Sequence, residues 1–410
     1  MKKRCYAFLL IILLLLNGCG LSRETVPENA QEKTEASAII EDSEKESENK
    51  EPEKEETKKE ETEESEISLI MVGDILLHDP VTESGRLPDG TYNYEHMFEN
   101  IKSLVQEADL ALVNQEVILG GKELGLSGYP AFNGPYEVGD ALYTAGFNVV
   151  LHATNHALDK GKKGILNCVS YWRNTHSEMA VLGIYDNQAD YDNNCYIYEK
   201  DGIKIAILNY TYGTNGIALP SDMPYAVSLL KEEKVKADLA KAEAEADFTV
   251  VCPHWGIEYS HTASEEQKRW AKLMVENGAD LIIGTHPHVI QPVEWLEDGE
   301  GNKALVYYSL GNFINATSGS GAGTTDRMVG GMAQVTLERN ESGQVEIQDY
   351  SVDPLITHLR YGTQQITTYR LADYTEELAA ANETIQKDSA FSLEYCKNLC
   401  RQVFGELYRE

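Results

Sequence analysis

The stretch at residues 147–156, which reads FNVVLHATNH, decides the fold class of this 410-residue chain. Its first part, Phe147–Leu151, is a short apolar-rich run, and the polar pair Asn155 and His156 follows closely. A run of this kind is typical of a buried strand that ends in a loop. Similar runs predict strands at Ser68–Val72, Leu110–Val113, Lys204–Tyr210, Phe248–Cys252, Leu281–Gly284 and Leu305–Tyr308.

Helical stretches separate these strands, and alternating strands and helices favour an α/β fold with mostly buried sheets. A late hairpin is predicted at Met332–Glu338 and Val345–Tyr350, and two helices within Thr375–Glu410. We expect a main domain at residues 67–340 and a strand and helical extension at residues 341–410 that packs on it. The predicted helices are Glu95–Glu107, Glu137–Ala145, Gly164–His176, Leu229–Ala246 and Ser264–Asn277.

Polar side chains that can bind a metal or move a proton follow five of the predicted strands. In α/β sheets, ligands bind outside the carboxyl ends of the strands. One such histidine alone is more often a satisfied loop or core residue, but five strand ends together predict a site. Carboxylates, an amide oxygen and imidazoles suit one or two divalent cations such as Mn, Zn, Fe or Mg. The residues are Asp74, Glu116, Asn155, His156, His254, His286 and His288.

Two of these positions suggest more specific roles. His156 lies next to Asn155 and can protonate a leaving oxygen as a general acid. His286 and His288 alternate, so on an extended segment both imidazoles would lie on one side.

Six motifs follow one another along the chain: VGDIL at 72–76, NQE at 114–116, ATNHALDKG at 153–161, HWGIEY at 254–259, GTHPHVIQ at 284–291 and YSLGNFI at 308–314. Together they resemble the CapA (PgsA) capsule-synthesis family, from about Ser68 to about Leu337. That family is similar to the calcineurin-like metallophosphoesterases. The resemblance implies a four-layer α/β/β/α sandwich of metallo-dependent phosphatase type, with the metal site at the strand ends and C-terminal helices beyond it.

The resemblance also implies a role for each site residue. Asp74 matches the first metal-binding Asp, Glu116 stands where the superfamily has a bridging Asp, and Asn155 matches the Asn ligand. His156 matches the general acid, and the three later histidines, His254, His286 and His288, match the remaining metal ligands. Two departures leave the number of cations and phosphoesterase activity open: Leu76 replaces a His, and Glu116 replaces the bridging Asp.

Four more residues are candidates for substrate binding. His78 lies four residues after Asp74 and is a possible substitute for the missing histidine. Glu258 is either a cleft residue or a solvated charge, and Asn312 either contacts the site or shapes a tight loop. Arg327 is a candidate anion contact, because arginine pairs bidentately with carboxylates and phosphates.

The first 66 residues indicate export. Three basic residues precede the apolar run Ala7–Leu16, and Leu16-Asn17-Gly18-Cys19 resembles a bacterial lipobox. This resemblance implies a signal peptide at residues 1–18 and lipidation of Cys19, which would anchor the protein at the extracytoplasmic face of the cell membrane; a plain signal peptide is the alternative. Residues 21–66 carry 18 acidic and 7 basic side chains and no aromatic one. We therefore expect a disordered acidic tether at 19–66.

Charge limits the ligands that the protein can bind, and the cysteines indicate whether it contains disulfides. The net charge is −32, and about −24 of it remains on the folded part. Such a surface excludes strong non-specific binding to nucleic acid and disfavours a polyanionic ligand at long range. Buried free thiols are favoured over disulfides for the five cysteines of the folded part, Cys168, Cys195, Cys252, Cys396 and Cys400.

Three functions remain open at this stage. The family resemblance implies a role in the synthesis or export of a poly-γ-glutamate type of capsule, with membrane proteins as partners. The ligand set favours a metal-dependent hydrolase of a phosphoester or a related bond. The third possibility is a non-catalytic metal-binding accessory or surface-interaction module.

Overall fold

The computed structural model of the chain describes residues 66–317 and 319–409. The predicted signal peptide, the lipidation site Cys19 and the tether up to residue 65 lie outside these residues. Glu66, the last residue of the predicted tether, begins the first strand. Within the described range, no helix combines the length and the apolar character needed to cross a membrane.

Fourteen strands occur in the described residues. They are β1 (Glu66–Ile75), β2 (Leu110–Asn114), β3 (Val149–Leu151), β4 (Ala180–Leu182), β5 (Tyr196–Lys200), β6 (Ile203–Thr211), β7 (Phe248–His254), β8 (Leu281–Ile283), β9 (Val293–Glu297), β10 (Lys303–Tyr307), β11 (Asn312–Ile314), β12 (Val329–Arg339), β13 (Val345–His358) and β14 (Thr367–Arg370).

Helices connect many of these strands. They are α1 (Asp79–Ser84), α2 (Lys102–Glu107), α3 (Glu137–Ala145), α4 (Gly161–Thr175), α5 (Gln188–Asp192), α6 (Glu232–Glu245), α7 (Glu265–Val275), α8 (Glu376–Ala381) and α9 (Leu393–Phe404).

The strands form two sheets. The first has the order β14-β13-β12-β1-β2-β3-β4, with β11 beside β1. Its strands β1 to β4 run parallel, and β12 to β14 pair antiparallel at the other side. The second sheet has the order β5-β6-β7-β8-β10-β9, with a parallel centre and an antiparallel strand at each edge. The extension after residue 340 therefore supplies β13 and β14 to the first sheet.

The two sheets pack face to face, with helices on the outside. Alternate residues of β6 show this: Ile205 belongs to the core shared with the first sheet, whereas Leu208 belongs to a second core with α6 and α7. Sγ of Cys252 lies 3.8 Å from Sδ of Met71 across the two sheets. On the other side, Trp172 of α4 donates from Nε1 to Nε2 of His152, just after β3, at 3.0 Å. The predicted four-layer α/β/β/α sandwich is confirmed.

Two predicted elements differ from the structure. The helix predicted at Glu95–Glu107 is a 3₁₀ turn at Glu95–Met97 followed by α2. The break lets Phe98 lie 5.7 Å from the ring of Phe313, in the core. The hairpin strand predicted to end at Tyr350 continues to His358, because β14 pairs with its second half. The five cysteines of the described range are buried and unpaired, as predicted.

Candidate metal centre

The carboxyl ends of the parallel strands bring six buried polar side chains to one place. Asp74 lies near the end of β1, and Glu116 and Asn155 follow β2 and β3. A Cβ on Gly73 would lie 1.9 Å from the carbonyl oxygen of Gly311, so only glycine permits the approach that lets Asp74 N donate to that oxygen. From the second sheet come His254 at the end of β7, and His286 and His288 after β8.

Glu116 is the centre of this arrangement. Its Oε1 lies 3.8 Å from Nε2 of His254, 3.7 Å from Nε2 of His288 and 3.9 Å from Nε2 of His156. The side chain is fully buried, and neither carboxylate oxygen has a hydrogen-bond partner among the described residues. A buried carboxylate without partners is costly, and a bound cation would satisfy it.

Two ligand groups share this carboxylate. One is Asp74, Glu116 and His254, and the other is Glu116, His286 and His288. Within each group, the ligand atoms lie within 4.8 Å of one another. Carboxylate and imidazole donors suit Mn, Zn and Fe, so these residues fit divalent cations, and Glu116 belongs to both groups.

The electrostatics of the site favour binding of positive charge. Burial raises the pKa of Glu116 well above its ordinary value, and the neighbouring Asp74 raises it further. Burial lowers the pKa of His254 and of His286 well below the ordinary value, so both imidazoles stay in the neutral form that ligates metals. For His288, Glu116 and Asp74 outweigh the opposing effect of burial and raise the pKa to about 9.

Polar neighbours fix the orientation of the ligands. Nδ1 of His254 lies 3.0 Å from Oγ1 of Thr285, and its Nε2 lies 2.9 Å from Oδ1 of Asn155. Asn114 donates from Nδ2 to Oδ1 of Asp74 at 2.8 Å, while its own buried Oδ1 has no partner among the described residues. Such outer contacts hold ligands in place before a cation arrives.

The segment around His286 and His288 is not extended, contrary to the prediction. The φ angle is 100° at His286 and 60° at His288, which is left-handed backbone that non-glycine residues rarely adopt. The turn lets His286 N donate to Oδ2 of Asp74 at 3.2 Å, and Nδ1 of His288 reaches the same oxygen at 3.2 Å. Strained backbone of this kind is concentrated at functional sites.

His156 lies at the edge of the centre with its second nitrogen held. Nδ1 lies 2.7 Å from Oδ2 of Asp159, which also accepts a hydrogen bond from Phe132 N at 2.7 Å. The ring of Phe132 meets the imidazole edge-on, at 4.7 Å between centroids. Nε2 therefore points towards Glu116 and the cleft.

A sequence profile of the bacterial capsule synthesis protein PGA_cap matches residues 68–317, which is more than half of the chain and includes all six candidate ligands. The chain belongs to this family. The match ends before Arg327 and before the strands β12, β13 and β14.

Two curated proteins are similar to this PGA_cap member. The capsule biosynthesis protein CapA of Bacillus anthracis is 29 % identical over 263 residues, which are 60 % of this chain and 59 % of that protein. The PGA biosynthesis protein CapA of Bacillus subtilis (strain 168) is 29 % identical over 202 residues, 49 % of this chain and 50 % of that protein. The chain thus spans between half and three-fifths of the length of these relatives.

Solved structures with a similar fold are more distant. The NAD nucleotidase NadN of Haemophilus influenzae has a TM-score of 0.43 and 12 % identity, covering 83 % of this chain and 66 % of that chain. A 5'-nucleotidase precursor from Thermus thermophilus has a TM-score of 0.42 and 13 % identity, covering 71 % of this chain and 54 % of that chain. These TM-scores are too low to support an argument about the fold. The fold class of this PGA_cap member is therefore assigned from its own strand pairing.

A cleft of about 200 Å³ opens beside the metal ligands of this PGA_cap member. His156 and His288 form part of its wall, and all four candidate substrate residues line it: His78, Glu258, Asn312 and Arg327. Among them, Asn312 accepts at Oδ1 from Nδ1 of His288 at 3.1 Å. Burial lowers the pKa of His78 to about 4, and its ring packs edge-on to Phe132 at 5.4 Å. His78 is absent from both ligand groups among the described residues.

Four polar residues that contact the site residues are not among the predicted site residues. Asn114 lies at the end of β2, as Asp74 lies near the end of β1. This position at a strand end could have predicted that Asn114 lies in the site. Thr285 and Asn215 gave none, because each reaches the site from a loop: Oδ1 of Asn215 accepts from Nδ2 of Asn155 at 3.3 Å. The sequence alone leaves Asp159, in the motif at 153–161, open between a site residue and a helix start; the structure shows that it contacts His156 directly.

Proposed function

We propose that this PGA_cap member is a metal-dependent protein of capsule polymer synthesis or export that hydrolyses a phosphoester or a related bond. The observation that supports it is the shared use of Glu116 by two ligand groups in one buried site. A carboxylate between two cation positions is typical of hydrolytic centres that act on anionic substrates.

The residues of the chain have distinct tasks in this proposal. Asp74, Glu116, Asn155, His254, His286 and His288 would hold the cations. Bound divalent cations would polarise an anionic group of the substrate. They would also lower the pKa of a water bound to them to about 7, so that it forms hydroxide near neutral pH. His156 would donate a proton from Nε2 to the leaving oxygen, because its Nδ1 is held by Asp159. Asn312 and Arg327 would orient the anionic substrate from the wall of the cleft.

The place of action is also part of the proposal. We place the protein at the extracytoplasmic face of the bacterial membrane, attached through lipidated Cys19, with membrane proteins of the capsule machinery as partners. The lipobox-like sequence before Cys19 and the family membership support this assignment. Incorporation of labelled palmitate into the wild-type chain, and its loss in Cys19→Ala, would test the anchor.

Hydrolysis is tested with the full chain loaded with Mn²⁺ and an aryl phosphate as substrate. We expect turnover that falls by about 10²-fold or more in His156→Ala, as for loss of a general acid. The control is Mn²⁺ binding by the variant, which should match the wild type. Equal rates in the two proteins, with metal bound in both, would contradict the assignment of His156.

A non-catalytic accessory role is the second candidate. The departures at Leu76 and Glu116 from the metallophosphoesterase pattern favour it. In that case, Mn²⁺ binds but no phosphoester is turned over, and the bound cations hold an anionic group of the polymer. The experiment is to delete the gene and complement the strain with Glu116→Gln. Both roles predict that the surface polymer changes in this strain, whereas an unchanged polymer would show that the site is dispensable.

A further inference from the structure

Exposed apolar side chains are concentrated in the loops at the end of the sheets where the cleft opens, and two of them, Tyr129 and Tyr259, line the cleft. Ten large apolar residues are exposed in the described part of the chain, and five of them lie in three loops at this end of the sheets. A cluster of this kind on an otherwise highly charged surface marks an interaction site. The five are Tyr129, Tyr212, Ile217, Ile257 and Tyr259.

Three tyrosines of this cluster, which we call the tyrosine rim, are each linked to a histidine of the site. The ring of Tyr212 lies 4.7 Å from that of His286, and the ring of Tyr259 lies 6.1 Å from that of His288. Tyr129 lies 6.3 Å from Phe132, which in turn contacts His156. The exposed fractions of the rim are 70 % for Tyr129, 48 % for Tyr212 and 53 % for Tyr259. A ligand whose anionic group reaches the buried histidines therefore passes these rings.

The charge of the molecule argues against a long polyanion as that ligand. About −24 charges on the folded part repel a chain of carboxylates before it arrives. At the mouth, neutral tyrosine rings lie beside the exposed carboxylate of Glu258, and Arg327 lies 4.9 Å above the ring of Tyr259. This surface suits one anionic group joined to an uncharged, flat-faced body.

We infer that the cleft takes an anion carried on a ring, such as a sugar phosphate or an aryl phosphate, whose ring face lies on the tyrosine rim. The inference rests on the proposed function for the anion position, and it adds the class of the adjoining group. Tyrosine presents a large apolar face together with a hydroxyl that can bond to ring substituents. A ring-bearing ligand therefore gains contact area that a short open-chain phosphoester lacks.

The test is binding to the full chain loaded with Mn²⁺, measured by calorimetry without any need for turnover. The probes are glucose 1-phosphate, phenyl phosphate, glycerol 1-phosphate and a γ-glutamate oligomer. We expect both ring-bearing probes to bind about tenfold more tightly than glycerol 1-phosphate. A preference for phenyl phosphate alone or glucose 1-phosphate alone would assign the ring as aromatic or sugar.

Substitutions in the rim identify the cause of the preference. Tyr259→Ala and Tyr212→Ala should each reduce it, and Tyr259→Phe should retain most of it because the ring face remains. Tyr143→Ala is the matched control, since Tyr143 is also exposed and stacks on a histidine, His176, at 4.4 Å, but on α3 away from the cleft.

Four results would overturn the inference. They are equal affinity for ring-bearing and open-chain probes, tighter binding of the γ-glutamate oligomer, a preference that survives loss of the rim tyrosines, and absence of binding by both ring-bearing probes. The proposed function fails separately, when the wild-type chain does not bind Mn²⁺ or when bound aryl phosphate is not hydrolysed.

Discussion

The imidazole of His156 is held by the carboxylate of Asp159, with 2.7 Å between Nδ1 and Oδ2. This contact fixes the ring so that Nε2 faces the cleft, on the side of Glu116. Positioning contacts of this kind typically change activity by about 10-fold to 100-fold when they are lost.

Asp159→Asn is therefore expected to lower kcat for an aryl phosphate by about 10-fold to 100-fold. The reason is that the amide holds the imidazole less firmly in the orientation that points Nε2 into the cleft. KM and Mn²⁺ binding should change little, because Asp159 contacts neither ligand group. An unchanged kcat would show that His156 acts without this support.

The C-terminal extension holds the loop that carries Arg327. Oδ2 of Asp388 accepts hydrogen bonds from N and Oγ1 of Thr325, at 3.1 Å and 2.9 Å. We expect Asp388→Ala to lower the free energy of unfolding by about 1–3 kcal/mol, because buried donors on Thr325 lose their acceptor. Chemical denaturation of the variant and the wild type measures the difference.

Asp388→Asn provides the control for that prediction. The amide oxygen can still accept both hydrogen bonds from Thr325, and only the contact of the other oxygen with Ala390 N is lost, so the loss of stability should be smaller than that of Asp388→Ala. Equal losses in the two variants would show that the negative charge matters more than the contacts.

Stability should depend on pH through Asp280, at the opposite end of the second sheet. Burial, opposed by the hydrogen bond from Thr249 N and reinforced by Glu243, raises the pKa of Asp280 to about 7. Between the ordinary carboxyl pKa and about 7, the folded state holds a proton that the unfolded state has lost. The free energy of unfolding therefore falls as the pH rises through this window, by up to about 1 kcal/mol per pH unit.

Asp280→Asn removes this dependence because the amide does not titrate. The free energy of unfolding of the variant, minus that of the wild type, should be larger at pH 8 than at pH 5. Urea unfolding of both proteins at both pH values measures this difference. A stability difference that stays the same at both pH values would contradict the role of Asp280.

The buried centre of the fold and most ligand positions could be predicted from the sequence. Parallel strands that are buried on both faces have continuous apolar runs in the sequence. The polar residues that follow these runs are easy to identify for that reason. The edges were not predictable in the same way. β5 and β9, at the two edges of the second sheet, are only partly buried, so they lack the continuous apolar run that marks the central strands.

The contacts between side chains depend on the packed fold rather than on local pattern. Nothing in the sequence near Thr285 shows that it will meet Nδ1 of His254, 31 positions earlier. The left-handed backbone at His286 and His288 was likewise unforeseen, because the hydrogen bond of His286 to Asp74 that supports it joins segments 212 positions apart. Residue types at strand ends predict the kind of site, and tertiary packing decides its geometry.

The shared carboxylate of Glu116 is the central claim, and the number of cations bound per chain tests it most directly. The full chain is titrated with Mn²⁺ beside Glu116→Gln, which keeps the shape but loses the charge, and Glu265→Gln, which alters an exposed carboxylate on α7. We predict two Mn²⁺ per chain for the wild type and for Glu265→Gln, and at most one for Glu116→Gln. The same number bound by Glu116→Gln as by the wild type, or none by the wild type, would contradict the account.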